Sequence, residues 1–121
     1  MTRIVLAPLP HAGKIVGRVK LEDVKEKGTI RVEYPPFDIL VAWIEGEVFA
    51  IEDACNHAGA SLAEGWIEEK CVVCPMHGYV FDLANGKLLR PRGLCADQRT
   101  YRVSIEGEEV VILDDFQLVV A

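Results

Sequence analysis

Two short segments carry residue types that bind metals through sulfur and nitrogen. Cys55 and His57 form a C-x-H pattern, and Cys74 and His77 form a C-x-x-H pattern after an interval of sixteen residues. Thiolates favour iron–sulfur clusters, zinc or copper, whereas imidazoles suit zinc, copper and iron. Each segment therefore offers one thiolate and one imidazole, and together they supply the four ligands of one metal site.

Zinc and an iron–sulfur cluster are the two candidates for this site. Structural zinc sites usually combine a pair of cysteines with a pair of histidines that follows it, whereas each segment here mixes the two types. A two-iron cluster explains the mixture, because one iron can take both cysteines and the other both histidines. A zinc-stabilised binding module is the alternative hypothesis for the same four residues.

The two segments resemble the cluster-binding loops of the Rieske family. The resemblance is carried by residues 55–62 and 74–82 and extends over roughly residues 14–114. It implies one 2Fe–2S cluster, with the two cysteines on the inner ferric iron and the two histidines on the outer iron that accepts the electron. It also implies single-electron transfer without catalysis, as in the soluble ferredoxin components of aromatic-ring dioxygenase systems.

The resemblance implies partners as well. A flavin- or iron–sulfur-containing reductase would donate the electron, and a terminal oxygenase or other oxidoreductase would accept it. The chain is also similar to the small subunit of assimilatory nitrite reductases, which is the second assignment. An oxygenase site within the chain is not expected, since mononuclear iron needs two histidines and a carboxylate and only His11 lies outside the two segments.

The chain differs at four positions from the respiratory and photosynthetic branch of the family. Ala60 and Met76 stand where that branch has two further cysteines, so no disulfide between the loops is expected. Tyr79 and Phe81 stand where that branch has a serine and a tyrosine that donate hydrogen bonds to the sulfurs. Hydrogen bonds to the sulfurs stabilise the reduced cluster, so a site with fewer donors is harder to reduce. We therefore predict a midpoint potential near the low end of the Rieske range, which spans roughly −150 to +300 mV.

Composition and charge limit the other possibilities. The chain has 121 residues, half of them apolar, and a net charge of −6, which fits one domain with a packed core. The acidic charge argues against binding to nucleic acid or to anionic membranes. No segment approaches the roughly 20 apolar residues of a transmembrane helix, and no signal-peptide pattern is present. We therefore expect a cytoplasmic protein.

Short apolar stretches between glycine-containing turns predict an all-β fold. Two hairpins are expected, one around Glu45-Gly46-Glu47 and one around Gly107, with a helical turn near residues 60–64 and a turn or single helical turn over 22–28. The family resemblance implies a β-sandwich. It also implies a cluster-binding subdomain over about residues 53–95, within a single domain of residues 1–121.

The remaining candidate residues receive structural interpretations. Cys71 and Cys95 are predicted to be structural, with a disulfide between them as an alternative. The two tryptophans, Trp43 and Trp66, are assigned to the core. Asp114-Asp115 is predicted to be a solvated strand end. The last residues, 117–121, are an apolar tail that packs on the sheet or on another subunit, and His11 is expected to be solvated.

Overall fold

The computed structural model describes residues 4–8, 13–56, 59–91, 93 and 95–120. The elements in chain order are β1 Ile4–Pro8, β2 Lys14–Lys20, α1 Leu21–Lys27, β3 Thr29–Val32, β4 Ile39–Ile44, β5 Glu47–Glu52, a 3-10 helix Leu62–Glu64, β6 Trp66–Glu68, β7 Cys71–Val73, β8 Val80–Asp82, β9 Leu88–Arg90, β10 Thr100–Glu106, β11 Glu109–Asp114 and β12 Phe116–Val120. The prediction of an all-β fold is confirmed.

The strands form two main antiparallel sheets. Six strands make one sheet in the order β2-β11-β10-β5-β4-β3, and β6-β7-β8-β9 make the other as a simple meander. Both predicted hairpins are present, as β4–β5 and β10–β11. The four-stranded sheet carries the second segment of candidate metal ligands between β7 and β8, so the chain builds a separate small sheet around the predicted site.

The β4–β5 hairpin is buried on both of its faces. Along β4, Ile39 and Val41 pack in one hydrophobic core, whereas Leu40 and Ala42 pack in another. Successive side chains of a strand point to opposite faces, so the hairpin separates a core inside the six-stranded sheet from a core beneath the four-stranded sheet. This two-sided burial explains why β4 reads as a continuous apolar run rather than an alternating one.

The segment after β2 is more helical than predicted. Residues Leu21–Lys27 form a two-turn helix in place of a turn, and the amide N–H of Gly28 donates to the carbonyl of Val24 at its end. Acidic residues lie in the first turn and lysines in the last, which suits the helix dipole. Only Val24 is buried in this helix, so the sequence has no apolar periodicity that would have predicted it.

The two ends of the described chain pair with each other. Strands β1 and β12 form an antiparallel ribbon in which Ile4 lies opposite Val120 and Pro8 lies opposite Phe116. The apolar tail that was expected to pack on a sheet or another subunit is therefore itself a strand as far as Val120. It is paired with a strand near the start of the chain, a pairing that the sequence pattern did not predict.

Asp114 corrects the prediction of a solvated strand end. The residue is only 4% exposed, and its carboxylate accepts hydrogen bonds from the Tyr34 hydroxyl at 2.6 Å, from the Phe116 N–H at 3.0 Å and from Arg99. Burial alone would raise the pKa of Asp114, but these hydrogen bonds and the Arg99 charge outweigh burial and lower it. Asp115 is partly exposed and pairs with Arg102 at the surface, closer to what was predicted for both residues.

We expect Asp114→Asn to lower the free energy of unfolding at neutral pH by about 1–3 kcal/mol, because buried donors lose a charged acceptor. Since its folded pKa is lowered, the stability contributed by Asp114 is present above its unfolded pKa of about 4 and is lost as the pH falls through the folded value. The difference between the variant and the parent should therefore shrink in acid.

Urea unfolding followed by circular dichroism between pH 3 and 7 measures this difference. Asp115→Asn is the matched control, and we expect it to change stability by less than about 0.5 kcal/mol because its ion pair lies at the surface. Equal effects of the two substitutions would contradict the role assigned to the buried carboxylate.

Candidate metal centre

The first loop follows β5 and folds back on itself around Cys55. The Cys55 N–H donates to the carbonyl of Ala60 at 2.8 Å, and the Gly59 N–H donates to the carbonyl of Cys55 at 2.7 Å. Gly59 has φ of 71°, a left-handed conformation that glycine adopts at little cost. These bonds direct the backbone of Cys55 inward. His57, the second predicted ligand of this loop, lies outside the described residues.

Asp53 stabilises the first loop from within. It is 3% exposed, and its carboxylate accepts hydrogen bonds from the Ser61 hydroxyl at 2.5 Å and the Ala63 N–H at 2.8 Å. Its own carbonyl accepts from the Leu62 N–H at 2.8 Å. The carboxylate thus connects the start of the loop to the 3-10 helix that closes it. No sequence pattern indicated this residue, because its partners lie eight to ten positions away.

The second loop is a tight turn between β7 and β8. The Cys74 N–H donates to the carbonyl of Tyr79 at 2.8 Å, which closes the turn, and His77 and Gly78 follow one another with φ of 67° and 69°. A left-handed histidine is uncommon and mildly strained, and such residues cluster at functional sites. The turn leaves residues 75–78 exposed and buries Cys74.

The fold brings Cys55 and Cys74 together. Cys55 and Cys74 are 2% and 0% exposed, both are free thiols, and both belong to the same buried core. Burial raises the pKa of Cys74 to about 11, and the neighbouring Cys55 thiol adds to the increase, whereas the N–H of Met76 donates to the Cys74 sulfur and opposes it. Two adjacent buried thiols become thiolates only when a cation compensates their charge.

His77 lies at the edge of a shallow surface groove. The groove has a volume of about 590 Å³ and is lined by Trp66, Glu68, Val73, His77, Gly78, Tyr79, Val80, Arg90 and Pro91. His77 is exposed. The thiols therefore face the protein interior, and the imidazole three residues after Cys74 faces the surface. Trp66 is 49% exposed, so its assignment to the core was wrong, whereas Trp43 is half-buried.

The other two cysteines differ from each other. Both are free, so the alternative of a Cys71–Cys95 disulfide is wrong. Cys71 lies on β7 opposite Asp82. Cys95 packs against the core that contains the two predicted cysteine ligands. Burial raises the pKa of its thiol, and the neighbouring Cys55 adds to the increase. Three thiols thus share one region, a proximity that sequence spacing did not indicate.

Both loops lie in the part of the chain that matches a known protein family. Residues 15–101 match the Rieske 2Fe–2S domain, a range that includes both loops and most of both main sheets. The chain belongs to the Rieske family. The predicted 2Fe–2S cluster and the predicted role in electron transfer rather than catalysis are confirmed.

Rieske ferredoxins are among the similar proteins. The ferredoxin component of biphenyl 2,3-dioxygenase from Rhodococcus jostii (strain RHA1) is 37% identical over 83 residues, which cover 69% of this chain and 77% of that protein. The ferredoxin component of the naphthalene 1,2-dioxygenase system from Pseudomonas aeruginosa is 31% identical over 103 residues, which cover 82% and 94%. The solved Sphingomonas yanoikuyae B1 ferredoxin has a TM-score of 0.73 at 27% identity, covering 84% of this chain and 99% of that one.

The described residues of the two loops fit a Rieske cluster. When bound, the cluster supplies a centre that gains and loses one electron at a time. The protein contributes two adjacent buried thiols, an amide N–H directed at one sulfur and an exposed imidazole on the same turn. Hydrogen bonds to ligand sulfurs and exclusion of water both tune such a centre. No helix in the described ranges is long and apolar enough to span a bilayer.

Phe81 generates a prediction about the redox potential. It is fully buried in the core that contains both cysteines and has no hydroxyl. We expect the parent midpoint potential to lie below zero. Phe81→Tyr should raise it by about 40–60 mV, which corresponds to one added hydrogen bond of about 1 kcal/mol.

Protein-film voltammetry measures both potentials. Phe49→Tyr is the control, because Phe49 borders the same core from β5 and lies outside both loops, and we expect it to leave the potential unchanged. A parent midpoint well above zero would refute the prediction.

Proposed function

We propose that Cys55 and Cys74 bind one iron of the cluster and that His57 and His77 bind the other. The observation that carries this assignment is that the two thiols, one from each loop, are buried together in the same core. His77 is supported by its exposed position in the turn that begins at Cys74. His57 is supported by its place two residues after Cys55 and by the same thiol-then-imidazole order in both loops.

The ligand set is tested by the iron content of single variants. Cys55→Ser, His57→Ala, Cys74→Ser and His77→Ala should each abolish the Rieske-type EPR signal of the dithionite-reduced protein. The parent should contain about two irons. The chain offers matched controls in Cys71→Ser, Cys95→Ser and His11→Ala, which should keep both the iron and the signal.

Other outcomes identify the alternatives. A colourless parent with one zinc and no EPR signal after anaerobic purification would establish the zinc-stabilised binding module instead. Loss of iron in Cys95→Ser, with retention of iron in Cys55→Ser, would assign the ligand role to Cys95 in place of Cys55.

We further propose that the protein is cytoplasmic and carries electrons from a flavin- or iron–sulfur-containing reductase to a terminal oxygenase. The similarity to ferredoxin components of dioxygenase systems supports this role. The geometry supports it too, because His77 and the half-exposed Trp66 line the same groove. Large aromatic side chains often supply much of the energy of a protein–protein contact. The groove is therefore the proposed docking surface for redox partners.

We expect Trp66→Ala to slow electron transfer to a terminal oxygenase about tenfold at limiting concentrations, because truncating an aromatic anchor costs more than about 1 kcal/mol of binding. Phe37→Ala is the control, since Phe37 is 51% exposed but lines a different depression. The midpoint potentials of both variants should match that of the parent.

Stopped-flow mixing of the reduced protein with the terminal component of a naphthalene dioxygenase measures these rates. Equal rates for both variants would contradict docking at the groove. A parent that transfers no electron to the oxygenase but copurifies with a nitrite reductase catalytic chain would favour the nitrite reductase assignment.

A further inference from the structure

The backbone on both sides of Cys55 is held by a single buried amide side chain. Gln98 is 3% exposed. Its Oε1 accepts a hydrogen bond from the Asn56 N–H at 3.0 Å, and its Nε2 donates to the carbonyls of Ala54 at 2.5 Å and Glu52 at 2.7 Å. One side chain therefore binds three backbone groups, one at the end of β5 and two in the first loop, immediately before and after the cysteine.

The neighbours of Gln98 strengthen this attachment. Residues 96–98, which we call the strap, also accept two hydrogen bonds from the Asn56 side-chain amide, at the carbonyl of Asp97 at 2.6 Å and at that of Ala96 at 3.3 Å. Asn56 is thus bound to the strap through both its backbone and its side chain. These bonds restrain the orientation of the Cys55–Asn56 peptide plane, and hence the backbone dihedral angles on either side of it.

The strap is itself anchored to the four-stranded sheet. The Gln98 N–H donates to the carbonyl of Gly86 at 2.7 Å. A Cβ atom on Gly86 would lie only 1.9 Å from the Gln98 carbonyl oxygen, so a glycine is required where the turn after β8 meets the strap. This turn follows the strand that leads out of the second loop. The strap therefore connects the first loop to the sheet that carries the second.

The opposite side of the same segment has a different set of partners. Asp53 bonds to Ser61 and Ala63 inside the loop, whereas Glu52, Ala54 and Asn56 bond to the strap. This alternation is expected of an extended segment. Cys55 therefore lies between two hydrogen-bonded networks. The Asn56 N–H donates to Gln98 and is not directed at a sulfur.

We propose that Gln98 is the positioning residue for Cys55, and that its amide sets the direction in which the Cys55 sulfur meets the cluster. This proposal deepens the ligand assignment above and rests on Cys55 as an iron ligand. Gln98 acts through the backbone and need not contact the iron. A leucine of similar size would leave the backbone groups of Glu52, Ala54 and Asn56 without their partner, and buried polar groups without partners are disfavoured.

The test compares Gln98→Leu with Tyr34→Phe. Both remove hydrogen bonds from partly or fully buried groups, but the Tyr34 hydroxyl bonds to Asp114 at the end of β11, which belongs to neither loop. We expect Gln98→Leu to release iron to a chelator at least about tenfold faster than the parent, the usual scale for residues that orient metal ligands. Its reduced EPR g-values should shift, and hydrogen–deuterium exchange should rise in a peptide covering residues 52–56.

Tyr34→Phe should lower the urea midpoint while leaving the rate of iron release, the g-values and that peptide unchanged. If both variants release iron in proportion to their loss of global stability, or if Gln98→Leu matches the parent, the proposal is overturned. Should Gln98→Leu fail to fold, Gln98→Glu decides the question. It keeps the acceptor for Asn56 but loses both donors, and it should also release iron faster than Tyr34→Phe.

Failure of the ligand assignment would give a different result. A parent without iron would refute that assignment, whereas the exchange of residues 52–56 in the Gln98 variants would still report whether the amide holds the loop.

Discussion

The fold depends on a hairpin that is buried on both sides. Leu40 and Ile51 face the core beneath the four-stranded sheet, and Val41 and Ala50 face the core of the six-stranded sheet. All four are at most 2% exposed. Burying a large aliphatic side chain contributes about 1.5–3 kcal/mol. The hydrophobic effect therefore stabilises β4 and β5 from both faces and connects the two cores through this hairpin. A polar substitution on either face would weaken one core without directly touching the other.

This shared hairpin also determines where the first cysteine-containing loop begins. The first loop leaves the end of β5, so the position of Cys55 is tied to a strand that cannot shift without exposing one of two cores. The second loop connects two strands of the small sheet and closes on Cys74. Hydrogen bonds from Asp53 and the strap then fix the remaining freedom of the first loop. Apolar packing sets the approximate location of the thiols, and directional polar contacts set their orientation.

The arrangement separates the two roles that an electron carrier must combine. The thiols are buried in apolar surroundings that exclude water, whereas His77 lies at a surface groove where another protein can approach. The same turn carries both functions, because only three residues separate the buried Cys74 from the exposed His77. The left-handed backbone at His77 and Gly78 permits this rapid change from interior to surface.

Much of the fold could be predicted from the sequence. Glycine turns and alternating apolar residues identified the all-β class and both long hairpins. Strands β6 and β9 were missed because they have only three residues each and are stabilised by their neighbours. Helix α1 was underestimated because a single buried valine gives no periodic signal. The sequence pattern predicts a tail where strand β12 lies, because its partner β1 is near the start of the chain.

By itself, the sequence determined the chemistry of the centre. Cysteine and histidine at short intervals are a local signal, and their types alone restrict which metals can bind. Only the tertiary structure showed that Asp114 is buried, that Trp66 is exposed, that Cys95 packs against the core of Cys55 and Cys74, and that Gln98 bonds to the backbone around Cys55. Each of these facts depends on residues distant in the chain. Burial and hydrogen bonding depend on which distant segments come into contact in the folded chain. The spacing of residues within one segment carries no information about those contacts.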